Sequence, residues 1–185
     1  ENETAIVAIS GVSGGGATES GSQSVTLTIT ENESAPTVTL TSSASSIAEN
    51  AGSALTLTAT LSGKADTAVT VSISTSGTGT EGTDYATISD ITIYAGSTTG
   101  TSSFTPSDDI TYEGNETGII SISGVSGGGA TESGSQSVTL TITENESAPT
   151  VTLVSNAASI AENAGSSLTL TATLSGKTDE NVTVS

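Results

Sequence analysis

The stretch Leu55-Thr56-Leu57-Thr58-Ala59-Thr60-Leu61 places an apolar residue at every odd position and threonine at every even one. Successive side chains of a β-strand point to opposite faces, so this period of two predicts a half-buried strand with leucine inward and threonine outward. Val69-Thr70-Val71-Ser72-Ile73 and Val138-Thr139-Leu140-Thr141-Ile142 repeat the pattern. Because the branched Cβ of threonine suits a pleated surface, the pattern is typical of sheet structure.

Shorter alternations lie on either side of these three segments. They are Val38 with Leu40, Ile91 with Ile93, and Ile120 with Ile122, and glycine-rich breaks at 77–82 and 127–134 separate the segments. No stretch has a helical period. The sequence therefore predicts an all-β fold, an immunoglobulin-like antiparallel β-sandwich of about seven strands.

The chain also repeats itself with a period of 113 residues. Residues 1–72 match residues 114–185 at 61 of 72 positions, and the match is unbroken from Ile9 to Leu40. Prolines at 36 and 149 follow each copy of Glu-Asn-Glu-Ser-Ala and stop a strand from running through. We expect tandem repeats, cut from something longer, with three segments: 1–34 is the C-terminal part of one repeat, 35–147 is a complete repeat, and 148–185 is the N-terminal part of the next.

Composition narrows the possible functions. The chain has no Cys and no His, and its only basic residues are two lysines, Lys64 and Lys177, so thiol and imidazole catalysis, disulfides and the usual zinc ligands are ruled out. We therefore expect no enzyme, no catalytic residue and no organic cofactor. A formal charge of −18 repels phosphates and anionic lipid, so neither nucleic acid binding nor membrane insertion is expected.

The acidic residues of the complete repeat gather at strand ends and loops. Like charges placed so close together destabilise a fold unless a cation joins them. Calcium takes six to eight oxygen ligands in irregular geometry, which several loops at one end of a sandwich can supply. The candidate metal ligands are Glu49, Asp84, Asp108, Asp109, Glu113, Glu116, Glu144, Asn145 and Glu146.

Several of these residues lie in recognisable motifs. They are Ala48-Glu49-Asn50-Ala51-Gly52, Gly82-Thr83-Asp84-Tyr85, the segment from Asp108-Asp109 to Glu113 and Glu116, and the closing strand Val138–Ile142 with Glu144-Asn145-Glu146. In order and spacing the 35–147 segment resembles the Calx-beta family, known from sodium/calcium exchangers, integrin β4 and large bacterial surface proteins.

The resemblance implies a seven-stranded sandwich that binds Ca²⁺ at one tip. Its ligands map onto Glu49, Asp84, Asp108, Asp109, Glu113 and Glu116, with the closing run 144–146. This chain departs from the family pattern there, because calcium-binding members often close with consecutive aspartates. Neither partial repeat carries a full ligand set. We expect at least one calcium ion in the complete repeat.

These features predict a rigid, extended stalk or filament of a secreted or surface adhesin, outside a bacterial cell. Its partners would be calcium ions, neighbouring repeats of the same chain and, in a filament, other copies. Two alternatives are a regulatory calcium sensor and a ligand-binding adhesive module. Near-identical repeats count against a sensor with differentiated sites. The absence of an insertion or exposed aromatic cluster counts against an adhesive tip. The other loop carboxylates, among them Glu81, are expected to be solvated.

Overall fold

The structure, a computed structural model, describes residues 2–185, and Glu1 at the start of the predicted 1–34 segment lies outside the described residues. The chain forms two compact units, Glu1–Ala35 and Pro36–Ser185. All regular structure across residues 2–185 is β-strand. No helix in that range could span a bilayer.

Two strands form the first unit as a hairpin, and thirteen strands form the second. The first pair is β1 (Glu3–Ala8) and β2 (Ser24–Ile29). The others are β3 (Thr37–Ser42), β4 (Ser46–Ala48), β5 (Leu55–Leu61), β6 (Val69–Gly77), β7 (Ile91–Ile93), β8 (Thr99–Phe104), β9 (Thr111–Tyr112), β10 (Glu116–Ser126), β11 (Thr131–Glu132), β12 (Ser137–Thr143), β13 (Val151–Ser155), β14 (Leu170–Leu174) and β15 (Lys177–Thr178).

Two sheets of the second unit enclose its hydrophobic core. One has the order β4-β12-β10-β6-β7 and the other β11-β3-β5-β8. Neighbouring strands in both are antiparallel, except for the short parallel edge pairs β4–β12 and β11–β3. The predicted all-β, immunoglobulin-like sandwich is confirmed.

Strand β5 has the same bounds as the predicted strand, Leu55 to Leu61. Leu55, Leu57, Ala59 and Leu61 are buried, and the threonines between them are exposed or half-buried. The leucine-in, threonine-out pattern is therefore confirmed. It follows from the position of β5 between β3 and β8, with one face on the core and the other facing solvent.

Aromatic stacking fills one end of the core. The rings of Tyr85 and Phe104 are stacked with centroids 4.7 Å apart, and both side chains are buried. Phe104 ends β8, and its ring lies against Gly118 of β10, where an added Cβ would come within 2.9 Å of Phe104 Cε2. A glycine is therefore needed at 118 because the phenylalanine ring takes the space of a side chain.

We expect Gly118→Ala to lower the free energy of unfolding by about 1–3 kcal/mol, the usual cost of overpacking a core. Gly124→Ala on the same strand is the matched control, since its Cβ would meet nothing closer than Ser72 Cβ at 4.0 Å. That variant should change stability by less than about 1 kcal/mol. Chemical denaturation of both variants checks the difference, and equal stabilities would contradict the packing at Gly118.

The β1–β2 and β13–β14 hairpins have the same strand registers as the sandwich strands whose residue numbers differ from theirs by 113. In β1–β2, Glu3 faces Ile29, as Glu116 faces Ile142 in β10–β12. In β13–β14, Val151 faces Leu174, as Val38 faces Leu61 in β3–β5. The near-identical sequences therefore form the same local pairings.

Candidate metal centre

Six acidic residues of the second unit meet in two groups of three. The Glu49 group contains Glu49, Glu144 and Glu146, and the Asp84 group contains Asp84, Glu113 and Glu116. Within each group, one carboxylate oxygen of every member lies within 4.8 Å of the others. All six belong to the predicted ligand set.

The parallel pairing of β4 with β12 creates the Glu49 group. In a parallel pair both strands end at the same edge, so the residues after each strand are neighbours. Glu49 follows Ala48 at the end of β4, and Glu144 follows Thr143 at the end of β12. The Glu49 N–H donates to the Thr143 carbonyl at 3.0 Å and continues the ladder by one step.

Glu144 is the best-satisfied carboxylate of this group. Its Oε2 accepts from the N–H groups of Glu113 and Gly114 at 2.6 and 2.9 Å. Its Oε1 accepts from those of Asn145 and Glu146 at 2.9 and 3.0 Å. Burial raises the pKa of Glu144, but these N–H groups and a hydrogen bond shared with the Glu146 carboxyl outweigh it and lower the pKa to about 2.

The carboxylates of Glu49 and Glu146 accept too few hydrogen bonds to stabilise a buried negative charge. Glu49 is 7 % exposed, and one oxygen accepts from the Asp109 N–H at 3.3 Å. Burial, opposed by that N–H and reinforced by the charges of Glu144 and Glu146, raises the pKa of Glu49 to about 7. The buried Oε2 of Glu146 has no hydrogen-bond partner. An oxygen-seeking cation fits this group, because it would satisfy that oxygen and offset the repulsion.

A tight turn presents the Asp84 group. The Thr80 N–H donates to Asp84 Oδ2 at 2.6 Å, and Tyr85, the next residue, is anchored in the core by its stack on Phe104. Glu116 begins β10, and one of its carboxylate oxygens lies within 4.8 Å of one from Asp84. Burial, followed by the charges of Asp84 and Glu113, raises the pKa of Glu116 to about 7.

The pKa of Glu113, the other member of this group, is also raised. Burial is the largest cause, followed by the charges of Asp84 and Asp109. Its backbone N–H is one of the donors to Glu144. The loop between β9 and β10 therefore connects the two groups.

Three predicted ligands lie outside both groups. Asp109 Oδ1 accepts from the Thr111 N–H at 2.6 Å. The pKa of Glu146 is raised first by a hydrogen bond shared with the Glu144 carboxyl, then by burial and the charge of Glu144, and the charge of Asp108 adds to these. The Asn145 side-chain amide donates to Glu146 Oε1 at 2.9 Å. The role of these three as ligands remains a prediction.

Sequence reasoning missed the roles of Glu81 and Asp179. Glu81, expected to be solvated, accepts from Thr75 Oγ1 at 2.6 Å and from the Ile88 N–H at 2.8 Å, so it links the residues before and after the Asp84 turn. Asp179 follows β15, which pairs in parallel with β9, and its charge contributes to the raised pKa values of Glu113 and Glu116. No local pattern predicts a two-residue pairing between segments so distant in sequence.

We expect the stability of the calcium-free protein to peak near pH 4.5. The folded-state pKa values of Glu49 and Glu116 are raised from 4.5 to about 7, so the folded state binds more protons than the unfolded state and stability rises as pH falls from 7 to 4.5. The pKa of Glu144 is lowered to about 2, so its contribution is lost as pH falls from 4.5 towards 2. Thermal unfolding in chelator across this range tests both signs, and a melting temperature that rises from pH 5 to pH 7 would contradict them.

Comparison with known proteins adds a family match. The Calx-beta domain model matches residues 31–146. Similar solved structures include the apo-form Calx CBD1 domain, at 18 % identity over 59 % of this chain and 98 % of that chain with a TM-score of 0.49. CBD12 from CALX1.2 is 20 % identical over 54 % of this chain and 41 % of that chain, with a TM-score of 0.47. No curated protein sequence matches the chain.

Proposed function

Since the chain belongs to the Calx-beta domain family, we propose that it is a calcium-binding structural repeat in the rigid stalk or filament of an adhesin-like protein at a bacterial cell surface or outside the cell. The observation that carries the proposal is the Glu49 group. It places a buried carboxylate and an unpartnered buried oxygen of Glu146 together at the end of β12, where the chain leaves the sandwich. No catalytic role is proposed for any residue.

The two acidic groups supply the chemistry that calcium requires. Calcium binds six to eight oxygens and tolerates irregular arrangements, whereas a smaller ion such as Mg²⁺ demands a near-ideal octahedron. Glu49, Glu144 and Glu146 would hold one ion, and Asp84, Glu113 and Glu116 would hold a second. Asp108, Asp109 and Asn145 would complete the ligand set from the adjoining loops. When bound, calcium would neutralise the converging charges and link the loops in one network.

The pairing of β15 with β9 supports a role for calcium at the junction between repeats. Lys177 and Thr178, from the 148–185 segment, pair with Thr111 and Tyr112, immediately before the Glu113 loop. The Asp179 carboxylate then adds negative charge near the Asp84 group. An ion in that group would remove the repulsion that opposes this docking. In tandem repeats, the same arrangement would stiffen each joint.

Calorimetric titration of the 185-residue chain with calcium tests this function. We expect two ions per chain, one ion for Glu116→Gln, and one for Glu49→Gln, because each variant removes a ligand from a different group. Glu180→Gln, an exposed residue outside both groups, should retain two. Small-angle scattering with and without chelator measures stiffness, and we expect the largest dimension to shrink in chelator. Absence of calcium binding, or unchanged dimensions, would contradict the proposal.

A further inference from the structure

The half-buried carboxylate of Glu81 joins the two sides of the Asp84 turn, residues 80–85, although it belongs to neither acidic group. Its Oε2 accepts a hydrogen bond from Thr75 Oγ1 at 2.6 Å, and its Oε1 accepts one from the Ile88 N–H at 2.8 Å. Thr75 lies in β6, before the turn, and Ile88 lies after it with its side chain in the core. These two hydrogen bonds, here called the Glu81 bridge, therefore connect the turn to β6 and to the core.

The Thr75 hydroxyl extends the bridge to the aromatic stack. Burial raises the pKa of Tyr85, and a hydrogen bond shared with the Thr75 side chain opposes that rise. Thr75 therefore lies between the Glu81 carboxylate and the Tyr85 hydroxyl. Because the Tyr85 ring is stacked on Phe104, the inner end of this network is fixed by the core.

Backbone hydrogen bonds give the Asp84 turn its internal shape. The Asp84 N–H donates to the Thr80 carbonyl at 2.9 Å, and the Gly82 N–H donates to the Tyr85 carbonyl at 2.7 Å. The Thr80 N–H in turn donates to Asp84 Oδ2. The position of the turn on the sandwich depends on further links, and the Glu81 bridge is the one that its side chains make to β6.

The three carboxylates of the Asp84 group come from separate segments. Asp84 lies in the turn, Glu113 in the loop after β9, and Glu116 at the start of β10. Without an ion, like charges within 4.8 Å of one another repel, and a movement of the turn away from β10 would relieve the repulsion. The same movement would separate the oxygens that an ion needs. A firmly held turn keeps them together.

We infer that Glu81 is a positioning residue for the ion of the Asp84 group, and that its hydrogen bonds to Thr75 and Ile88, rather than its charge, keep Asp84 where an ion binds. This role rests on the proposed function, because it concerns the affinity of that group for calcium. A turn that is in place about a tenth of the time binds calcium about tenfold more weakly. Loss of the groups that orient metal ligands weakens metal binding by about 10–100-fold.

Three variants separate the bridge from the charge. Glu81→Ala removes both. Glu81→Gln removes the charge and keeps the bridge, since its amide oxygen accepts from the Ile88 N–H and its amide nitrogen donates to Thr75 Oγ1. Thr75→Val removes the hydroxyl and keeps both the charge and the shape of the side chain.

Calorimetric titration with calcium measures their effects in the full 185-residue chain carrying Glu49→Gln, where one ion is expected, in the Asp84 group. Glu81→Ala and Thr75→Val should each raise the Kd of this ion by about tenfold. Glu81→Gln should raise it by less than about threefold, because the bridge remains.

Two controls exclude a general loss of structure. In a chain carrying Glu116→Gln, where the remaining ion is expected in the Glu49 group, Glu81→Ala should leave the Kd unchanged. Glu132→Ala removes a different carboxylate, one that accepts from the Gln136 N–H in the segment that follows the far end of β10. That variant should leave the Kd of the Asp84 group unchanged.

Amide hydrogen exchange in chelator tests the bridge without metal. The Ile88 N–H should exchange about tenfold faster in Glu81→Ala than in the wild type, since its acceptor is lost, and at the wild-type rate in Glu81→Gln. Equal exchange in Glu81→Ala and the wild type would overturn the inference.

The titrations distinguish failure of this role from failure of the proposed function. A wild type that binds no calcium overturns both. A wild type that binds two ions, with an unchanged Kd in either Glu81→Ala or Thr75→Val, overturns the positioning role alone. Equal increases of Kd in Glu81→Ala and Glu81→Gln also overturn it, because the charge of Glu81 would then be the cause.

Discussion

Glu49→Gln is expected to stabilise the protein without calcium and to weaken its response to calcium. At pH 7.5 in chelator, the amide removes one charge from the Glu49 group and can still accept the Asp109 N–H bond. In calcium, the wild type gains about 2.7 kcal/mol for each site when calcium is a hundredfold above its dissociation constant. That corresponds to a rise in melting temperature on the order of 10 °C. The variant, in which only the Asp84 group keeps its full set of charges, should gain about half as much.

Glu162→Gln is the matched control for this experiment. Residues 160–165 repeat Ile-Ala-Glu-Asn-Ala-Gly from 47–52, but Glu162 is exposed and belongs to neither the Glu49 group nor the Asp84 group. In dilute protein this variant should show the full stabilisation by calcium. Thermal unfolding of the three proteins, with and without calcium, gives the comparison. An equal rise in melting temperature for Glu49→Gln and the wild type would mean that the Glu49 group holds no ion.

Phe104→Ala is expected to lower the free energy of unfolding by about 3–5 kcal/mol. The side chain is fully buried, stacks on Tyr85 and lies over Gly118, so its loss leaves a cavity between these residues. Small domains are stable by about 5–15 kcal/mol in total, so this loss is a large share. Chemical denaturation measures it.

Tyr94→Ala provides the control for the aromatic substitution. Tyr94 follows β7 and is exposed, so its removal should change stability by less than about 0.5 kcal/mol. The double variant Phe104→Ala/Gly118→Ala is a further check, because the alanine at 118 no longer meets a ring and its cost should disappear. A cost for Phe104→Ala below about 1 kcal/mol would contradict the packing of this end of the core.

The sandwich could be predicted because apolar and polar residues alternate along its inner strands. β5 has one face on the core and one in solvent, and its residues alternate accordingly. β8 was not predicted, since its sequence Thr-Gly-Thr-Ser-Ser-Phe contains a single large apolar residue. It is an edge strand that depends on its neighbour β5 for its conformation, and Phe104 alone reaches the core.

The acidic residues of the candidate site could be predicted from the sequence, but their division into two groups could not. Loop carboxylates between strands are visible in the sequence, and all six members of the two acidic groups were among the expected ligands. Their division into groups depends on the parallel pairing of β4 with β12, which brings Glu49 to Glu144 across 95 residues. Sequence period predicts strands but not which distant strands become neighbours. The same limit hid Asp179, which reaches the Asp84 group through β15 and β9.

The parallel pairing of β4 with β12 also determines how this unit resists force. β4 lies near the point where the chain enters the sandwich, and β12 ends where the chain leaves it. Because the two strands run in the same direction, tension on the ends slides one strand along the other. The bonds from Thr141 N–H to the Ser45 carbonyl and from Glu49 N–H to the Thr143 carbonyl are then loaded together rather than one after the other. Unfolding under tension is governed by the height of such a barrier, so this short edge strand would act as a mechanical clamp at the point where Glu49 lies.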